Sequence, residues 1–190
     1  EEYRKYFTAQ GLKVNPDKEE HITWAKKASE RAEVTLMGRD STPTLKLLGL
    51  TVDNTYSFMP HAVSVTRRMM ERVSYLYRVR DYVTKKVLIM LLKSLLLSIA
   101  EFGLEIHGRA LAVKRKIQKA FNIALRAVTH GNRMTSVRRM LMDTGLMNME
   151  LTHKYYLVMS VERLIATEGS SLEMEVVRRG QCHQYNTRTK

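Results

Sequence analysis

An apolar segment with a glycine at its centre, residues 45–53, separates two parts of this chain that have different sequence patterns. Before this segment, short apolar runs that favour β-strand alternate with polar turns, whereas after Pro60 apolar residues recur every three or four positions. The second spacing is typical of amphipathic helices, and a glycine inside a strand-like run usually marks a bulge, a bend or a close backbone approach. The sequence therefore predicts an α+β fold that is predominantly α-helical, with a small β hairpin or sheet followed by a helical bundle.

The β portion is predicted to occupy residues 1–58. The first ten residues have the pattern of a helix that ends at Gly11, since glycine commonly terminates helices. Short apolar runs between polar turns then predict strands. We expect one strand from each of three such runs, at residues 21–25, 32–37 and 45–52.

The helical portion is predicted to span residues 59–167, and a polar tail follows at residues 168–190. The first helix carries an apolar seam at helical spacing, formed by Ala62, Val65, Met69, Val73 and Leu76. A later helix, at residues 110–128, has a similar buried face, formed by Val113, Ile117, Ala120, Phe121, Ala124 and Val128.

Two further helices are predicted at residues 136–143 and 150–167. The second of them is rich in apolar side chains, including Leu151, Tyr155 and Val158. We expect these side chains to pack inside the protein and to make no contact with a polyanion.

The most apolar run, residues 83–107, could form either a buried helix or a membrane span. Lys93 interrupts this run, and Glu101 and Glu105 follow. A charge in the middle of a span costs roughly 2.5–3.5 kcal/mol on insertion scales. We therefore predict a central buried helix and no membrane partner.

The net charge of +13 is confined to one segment. Residues 61–139 contain seventeen Lys and Arg against four Asp and Glu, whereas residues 1–60 and 140–190 are each balanced. A localised basic segment indicates a polyanionic partner, and we expect nucleic acid; a solvated basic face without a partner is the alternative. Two clusters that lie mostly off the apolar seams are the candidate phosphate ligands: Arg67, Arg68 and Arg72, and Arg115, Lys119 and Arg126.

The sequence offers no independent catalytic or metal-binding motif. Its aspartates are scattered and its six histidines are isolated, so neither a two-metal cluster nor a zinc site is expected. A glycine-rich phosphate loop and a Cys-x-x-Cys pair are also missing. The single cysteine, Cys182, excludes an internal disulfide framework and fits a reducing compartment, so we expect an intracellular protein of the nucleus or cytoplasm.

Leu-Gly-Leu-Thr-Val-Asp at residues 48–53, followed by His61 at the start of a basic helix, resembles the palm-to-thumb junction of reverse transcriptases from non-LTR retrotransposons. Ile-Gln-Lys and Ala-Leu-Arg, at residues 117–119 and 124–126, are similar to a signature of the same family. The resemblance implies that Leu48 and Gly49 form the primer grip, a β-hairpin that holds the 3′ end of the growing strand. An ordinary core hairpin is the alternative.

A Gly-Leu-x-x-Asn-x-x-Lys pattern at residues 11–18 resembles a segment of the same family's palm. The resemblance implies that Lys18 is a proton donor to the leaving pyrophosphate in the intact enzyme. The family usually has threonine next, whereas this chain has Glu19. A lysine in a solvent-exposed turn is the alternative reading of this position.

The family resemblance implies a palm remnant at residues 1–58 and a basic helical thumb at residues 59–167. The chain would then be the C-terminal fragment of an RNA-directed DNA polymerase that grips the primer and clamps the RNA–DNA duplex. The family's Asp-Asp hairpin would precede Glu1, so we expect no polymerase activity and no metal in this chain alone, with Mg²⁺ needed only by the intact enzyme. The alternatives are a stand-alone or domesticated helical nucleic-acid-binding module and a helical protein-interaction domain.

Overall fold

The protein is predominantly helical with small antiparallel sheets, which confirms the predicted fold class. The described residues group into two compact units, one that ends at Ser64 and one that begins at Val65. The computed structural model describes residues 2–13, 15, 19–24, 35–36 and 39–166.

The described part of the first unit contains a helix and two short antiparallel sheets. These elements are α1 (Glu2–Ala9), β1 (Thr35–Leu36) paired with β2 (Arg39–Asp40), and β3 (Thr44–Leu47) paired with β4 (Leu50–Asp53). Leu50, Val52 and Asp53 of β4 are buried, whereas β3 is mostly exposed. The second sheet therefore has an inner strand and an outer strand.

The turn between β3 and β4 consists of Leu48 and Gly49. Their φ angles are 47° and 91°, and positive φ at both positions is the requirement of a type I′ turn, whose twist matches that of its strands. Glycine adopts this conformation readily, but leucine rarely does. The prediction of one strand at residues 45–52 is therefore wrong, because the chain reverses direction at Leu48 and Gly49 and forms a two-stranded hairpin.

The predicted strand at residues 21–25 is also wrong where the structure describes it. Residues 21–24 have no regular structure, and two of their polar groups make isolated hydrogen bonds to other segments. Thr42 donates its backbone N–H and its hydroxyl to the His21 carbonyl, at 3.0 and 3.1 Å, and the Trp24 indole donates to the Asp53 carbonyl at 3.2 Å. Of the strand expected at residues 32–37, only β1 lies within the described residues.

Helix α2, Met59–Val79, continues from the first unit into the second. The elements that follow are α3 (Lys85–Leu92), a π-helical turn (Lys93–Leu97), α4 (Ser98–Glu101), α5 (Leu104–His107), α6 (Leu111–Thr129), α7 (Val137–Thr144) and α8 (Met149–Ala166). The predicted helices at residues 110–128, 136–143 and 150–167 agree with α6, α7 and α8 to within a residue at each end.

The predicted seams of α2 and α6 are buried, as their spacing requires. In α2 each of the five seam residues is almost fully inaccessible, and in α6 the buried face gains Leu125 and Ala127. These positions form the core of the helical portion. Burial of large apolar side chains at such positions is the main stabilising contribution to the fold.

The prediction of one central buried helix at residues 83–107 is wrong in two respects. Phe102 and Gly103 interrupt the helical run, with Gly103 in the left-handed conformation at φ 66°. In addition, only one face is buried, with Leu88, Leu92 and Leu96 inaccessible and Met90 exposed. Within the described ranges, no helix has the length and apolar character needed to cross a bilayer.

Helix α8 also departs from expectation. Leu151, Tyr155 and Val158, which were expected to be packed, are each about half exposed. The buried positions are instead Met149, Thr152 and His153. The expected packing is therefore wrong for these three side chains, and they form an exposed apolar strip on α8.

Candidate nucleic-acid interface

Leu48 and Gly49, the residues expected to form a primer grip, lie at the tip of the β3–β4 hairpin. Leu48 is 90% exposed, and the neighbouring Leu47 is also exposed. The turn thus holds a large apolar side chain in solvent at a backbone angle that leucine rarely adopts. An apolar tip of this kind can pack against the sugar or base face of a nucleotide.

Asp53 organises the loop between the hairpin and α2. Its buried carboxylate accepts hydrogen bonds from the Phe58 N–H at 2.7 Å and the Ser57 N–H at 3.1 Å, as well as from the hydroxyls of Ser57 and Thr55. Burial alone raises the pKa of Asp53, but these donors outweigh it and lower the pKa to about 2. Asp53 is therefore ionised at neutral pH and acts as an acceptor for its loop.

His61 provides a second link between the hairpin and the start of α2. The Thr51 backbone N–H donates to the buried Nδ1 of His61 at 3.3 Å. Together with the Asp53 loop, this bond fixes the hairpin against the first turn of α2. The acidic residue and the histidine of the family-like motif thus have structural roles that the sequence analysis did not assign.

The first predicted basic cluster lies on the exposed side of α2. Arg67, Arg68 and Arg72 are all exposed, and Arg67 lies 3.6 Å from Glu71 as a surface ion pair. Arg68, Arg72 and the exposed Tyr75 follow one another at spacings of four and three, so they form one stripe. This stripe presents two guanidinium groups and an aromatic ring to solvent.

The second predicted cluster is divided by the structure. Arg115 and Lys119 of α6 line an open groove of about 800 Å³, and Arg138 of α7 lines it with them. We call it the α6–α7 groove; its wall also contains Leu111, Lys114, Gln118, Asn122, Val137, Leu141, Asn148, Met149 and Glu150. Arg138 belongs to the basic segment but was not predicted as an interface residue, because only tertiary folding brings α7 beside α6.

Arg126 makes hydrogen bonds within the protein, whereas Arg115 and Lys119 line the groove. It is half-buried, and its guanidinium donates to the Asn122 carbonyl and to the Asn132 carbonyl, each at 3.2 Å. These bonds hold the loop after α6 against the helix end. The spacing that placed Arg126 on the basic face was correct, but this side chain does not line the groove.

Three amide side chains of the α6–α7 groove have their oxygens occupied. The Gln118 Oε1 accepts from the Met149 N–H at 2.7 Å, and the Gln118 Nε2 donates to the Asn122 Oδ1 at 2.7 Å. The Asn148 Oδ1 accepts from the Leu151 N–H at 2.8 Å. Gln118, which the sequence analysis recognised only as part of a family-like signature, therefore joins α6 to the beginning of α8.

Two buried histidines join α5 to α8 close to Gly108. A Cβ on Gly108 would lie 2.5 Å from the His153 Cδ2, so the backbone and the ring are in close contact. Burial is the main cause that lowers the pKa of His107, and the neighbouring His153 lowers it further. Burial also lowers the pKa of His153, with a further lowering contribution from Lys114.

Lys18 lies outside the described residues. In the part of the chain that the structure covers, no three His, Cys, Asp or Glu side chains are grouped so that they could hold a metal ion. Comparison of the chain with protein-family models, with curated proteins and with solved structures gives no match.

Proposed function

We propose that this chain is the C-terminal part of a reverse transcriptase of the non-LTR retrotransposon type. In this proposal the hairpin tip contacts the primer end and the basic helices hold the RNA–DNA duplex. The observation that carries it is the confinement of the whole excess charge to residues 61–139, with Arg68, Arg72, Arg115 and Lys119 exposed. The assignment to this family rests on the sequence resemblance at residues 48–53 and the motifs that follow it.

Exposed cations on helices are suited to phosphate contacts. Such contacts set the position of a nucleic acid and carry no direct sequence information. Binding should therefore be independent of sequence and should weaken steeply with salt, because each phosphate contact releases condensed counterions. The exposed Leu48 side chain adds an apolar contact that fits the terminal nucleotide of a primer.

The test is the affinity of the purified chain for an RNA–DNA hybrid across a salt series. We expect a log–log slope of about −0.9 for each phosphate contact on a duplex of B form, and similar affinities for unrelated sequences. A flat salt dependence would remove nucleic acid as the partner. The stand-alone binding module gives the same curve, and sequence upstream of Glu1 that encodes an Asp-Asp hairpin would distinguish the two.

The metal-binding part of the catalytic step of such an enzyme is assigned to no residue of this chain. Nucleotidyl transfer by two metal ions needs carboxylates that hold both ions about 3.5–4 Å apart, and the described residues do not fit Mg²⁺ in that way. We expect the purified chain with Mg²⁺, primer-template and nucleotides to extend no primer. Primer extension that persists through purification to homogeneity would contradict the assignment of the metal-binding carboxylates to another part of the enzyme.

A helical protein-interaction domain is the second candidate, and the exposed apolar strip on α8 favours it. Leu151, Tyr155 and Val158 present apolar surface where a solvated helix would normally carry polar side chains. In that case the basic residues would be incidental to the function. Weak, salt-insensitive binding to the hybrid would favour this candidate over the proposed one.

A further inference from the structure

We propose that the α6–α7 groove takes an unpaired single strand of nucleic acid, with a base seated in the groove. This inference rests on the proposed function, because it specifies which nucleic acid occupies one part of the basic surface. The groove belongs entirely to the helical unit and is built from α6, α7 and the first turn of α8.

The polar wall of the groove consists mainly of donors. Four side chains carry cationic donors: Lys114, Arg115, Lys119 and Arg138. The oxygens of Gln118, Asn122 and Asn148 already accept hydrogen bonds. The Asn122 and Asn148 side-chain nitrogens are therefore the amide groups most readily offered to a ligand, since the Gln118 nitrogen already donates to Asn122. Donor-rich, cationic walls select a ligand that is anionic and rich in acceptors, as phosphates and base carbonyls are.

One carboxylate lines the groove among the described residues, and its charge is partly compensated. Glu150 lies 3.3 Å from Lys154, which follows it by one helical turn on α8. The acid therefore opposes the four cations of the wall only weakly. The net positive charge of the groove wall therefore complements an anionic strand.

The groove also has an apolar part that a phosphate contact does not explain. Leu111, Val137, Leu141 and Met149 contribute to its wall beside the cations. A duplex presents phosphates and sugars on its outside and keeps its base faces stacked, whereas a single strand has base faces available for apolar and stacking contacts. The volume of about 800 Å³ lies within the roughly 300–1,000 Å³ usual for ligand sites, so an unpaired nucleotide fits.

The test compares three fluorescent probes: a single strand of about 12 nucleotides, within the usual range of site sizes, the same strand with its central bases removed, and an RNA–DNA hybrid. We expect the unmodified chain to bind the intact strand about tenfold more tightly than the abasic strand, because the abasic strand lacks the base that buries apolar surface against Leu111, Val137 and Leu141. Equal affinities for the intact and abasic strands would overturn the seating of a base.

Pairs of variants, one inside the groove and one outside it on a helix surface, show where the single strand binds. Arg138→Ala should weaken single-strand binding by about tenfold, as expected for loss of a charge-assisted contact, and should change hybrid binding little. Arg139→Ala is its control, because Arg139 is exposed on the same helix but does not line the groove. Leu111→Ala should reduce the preference for the intact over the abasic strand, and Met142→Ala, an exposed apolar position on α7 outside the groove, should not.

The outcomes separate this inference from the proposed function. Salt-dependent binding of the hybrid, with Arg138→Ala weakening hybrid and single strand alike, would overturn the inference and leave the proposed function intact. Absence of binding to all three probes would overturn both. Displacement of the single strand by polyglutamate of equal charge, as effectively as by unlabelled strand, would show a non-selective anion surface and would also overturn the inference.

Discussion

Helices α6 and α8 have nearly the same length, 19 and 18 residues, but they use their apolar side chains in opposite ways. In α6 most of the large apolar residues lie on one face and are buried, with Leu111 in the first turn exposed, and cations occupy the other face. In α8 the exposed strip is apolar, and the buried side contains Thr152 and His153. The comparison teaches that apolar content does not determine burial, whereas segregation of apolar residues to one face does.

The largest expected effect on stability comes from truncating a buried aromatic ring on α6, whereas truncating an exposed ring on α8 should have little effect. Phe121 of α6 is fully buried, and Phe121→Ala should cost about 3–5 kcal/mol in free energy of unfolding. Tyr155 of α8 is 50% exposed, and Tyr155→Ala should stay within about 0.5 kcal/mol. Denaturant melts followed by circular dichroism measure both values. A loss of several kcal/mol for Tyr155→Ala would mean that the strip on α8 is packed in solution.

The same contrast explains what could be predicted from sequence. The buried faces of α2 and α6 were predictable because their apolar residues keep helical spacing without interruption. The exposed strip of α8 was not, because apolar residues occur around most of that helix and local spacing does not identify the packed side. The hairpin needed the family resemblance, since the strand-like run at residues 45–52 does not reveal the positive φ of Leu48.

The candidate site was predictable only in part, because local spacing does not show which helices pack side by side. The spacing of four between Arg115 and Lys119 places them together on any helix, and they do line one groove. Arg138 reaches the same groove from a different helix, and Arg126 is withdrawn from it by hydrogen bonds to two carbonyls. Both facts depend on where the chain turns after α6, which no local pattern encodes.

A change in pH is expected to have an intermediate effect on stability, because the buried side of α8 contains a histidine. The pKa values of His107 and His153 are lowered in the folded state, chiefly by burial, so the unfolded chain binds more protons once the pH falls toward their ordinary value of about 6.5. Stability should therefore decrease as the pH falls through and below that value. Asp53, with a pKa lowered to about 2, adds a separate loss of stability only below about pH 4.

Melting temperatures between pH 8 and pH 5 test this effect. His153→Gln should flatten the pH dependence, because it removes one of the two titrating rings, even though it also lowers the melting temperature at pH 8. His130→Gln is the matched control, since His130 is exposed at the end of α6. A pH profile that is unchanged by His153→Gln would show that His153 does not contribute to the pH dependence of stability.

The smallest effect on stability, and the most direct test of the basic face of α6, is expected from Arg115→Ala combined with Lys119→Ala. Both side chains are exposed, so unfolding should change by no more than about 0.5 kcal/mol for each. Arg126→Ala is the control with the opposite outcome. It should lower stability by about 1 kcal/mol, because its guanidinium holds two carbonyls, and should leave the salt dependence of binding unchanged.

The decisive measurement is the log–log salt slope of nucleic-acid binding for the unmodified chain and for the double variant, beside melts of both proteins. If Arg115 and Lys119 contact phosphates, the double variant binds every sequence more weakly and its slope is shallower by about two units. A folded double variant that keeps the affinity and the slope of the unmodified chain would contradict the assignment of α6 to the nucleic-acid interface.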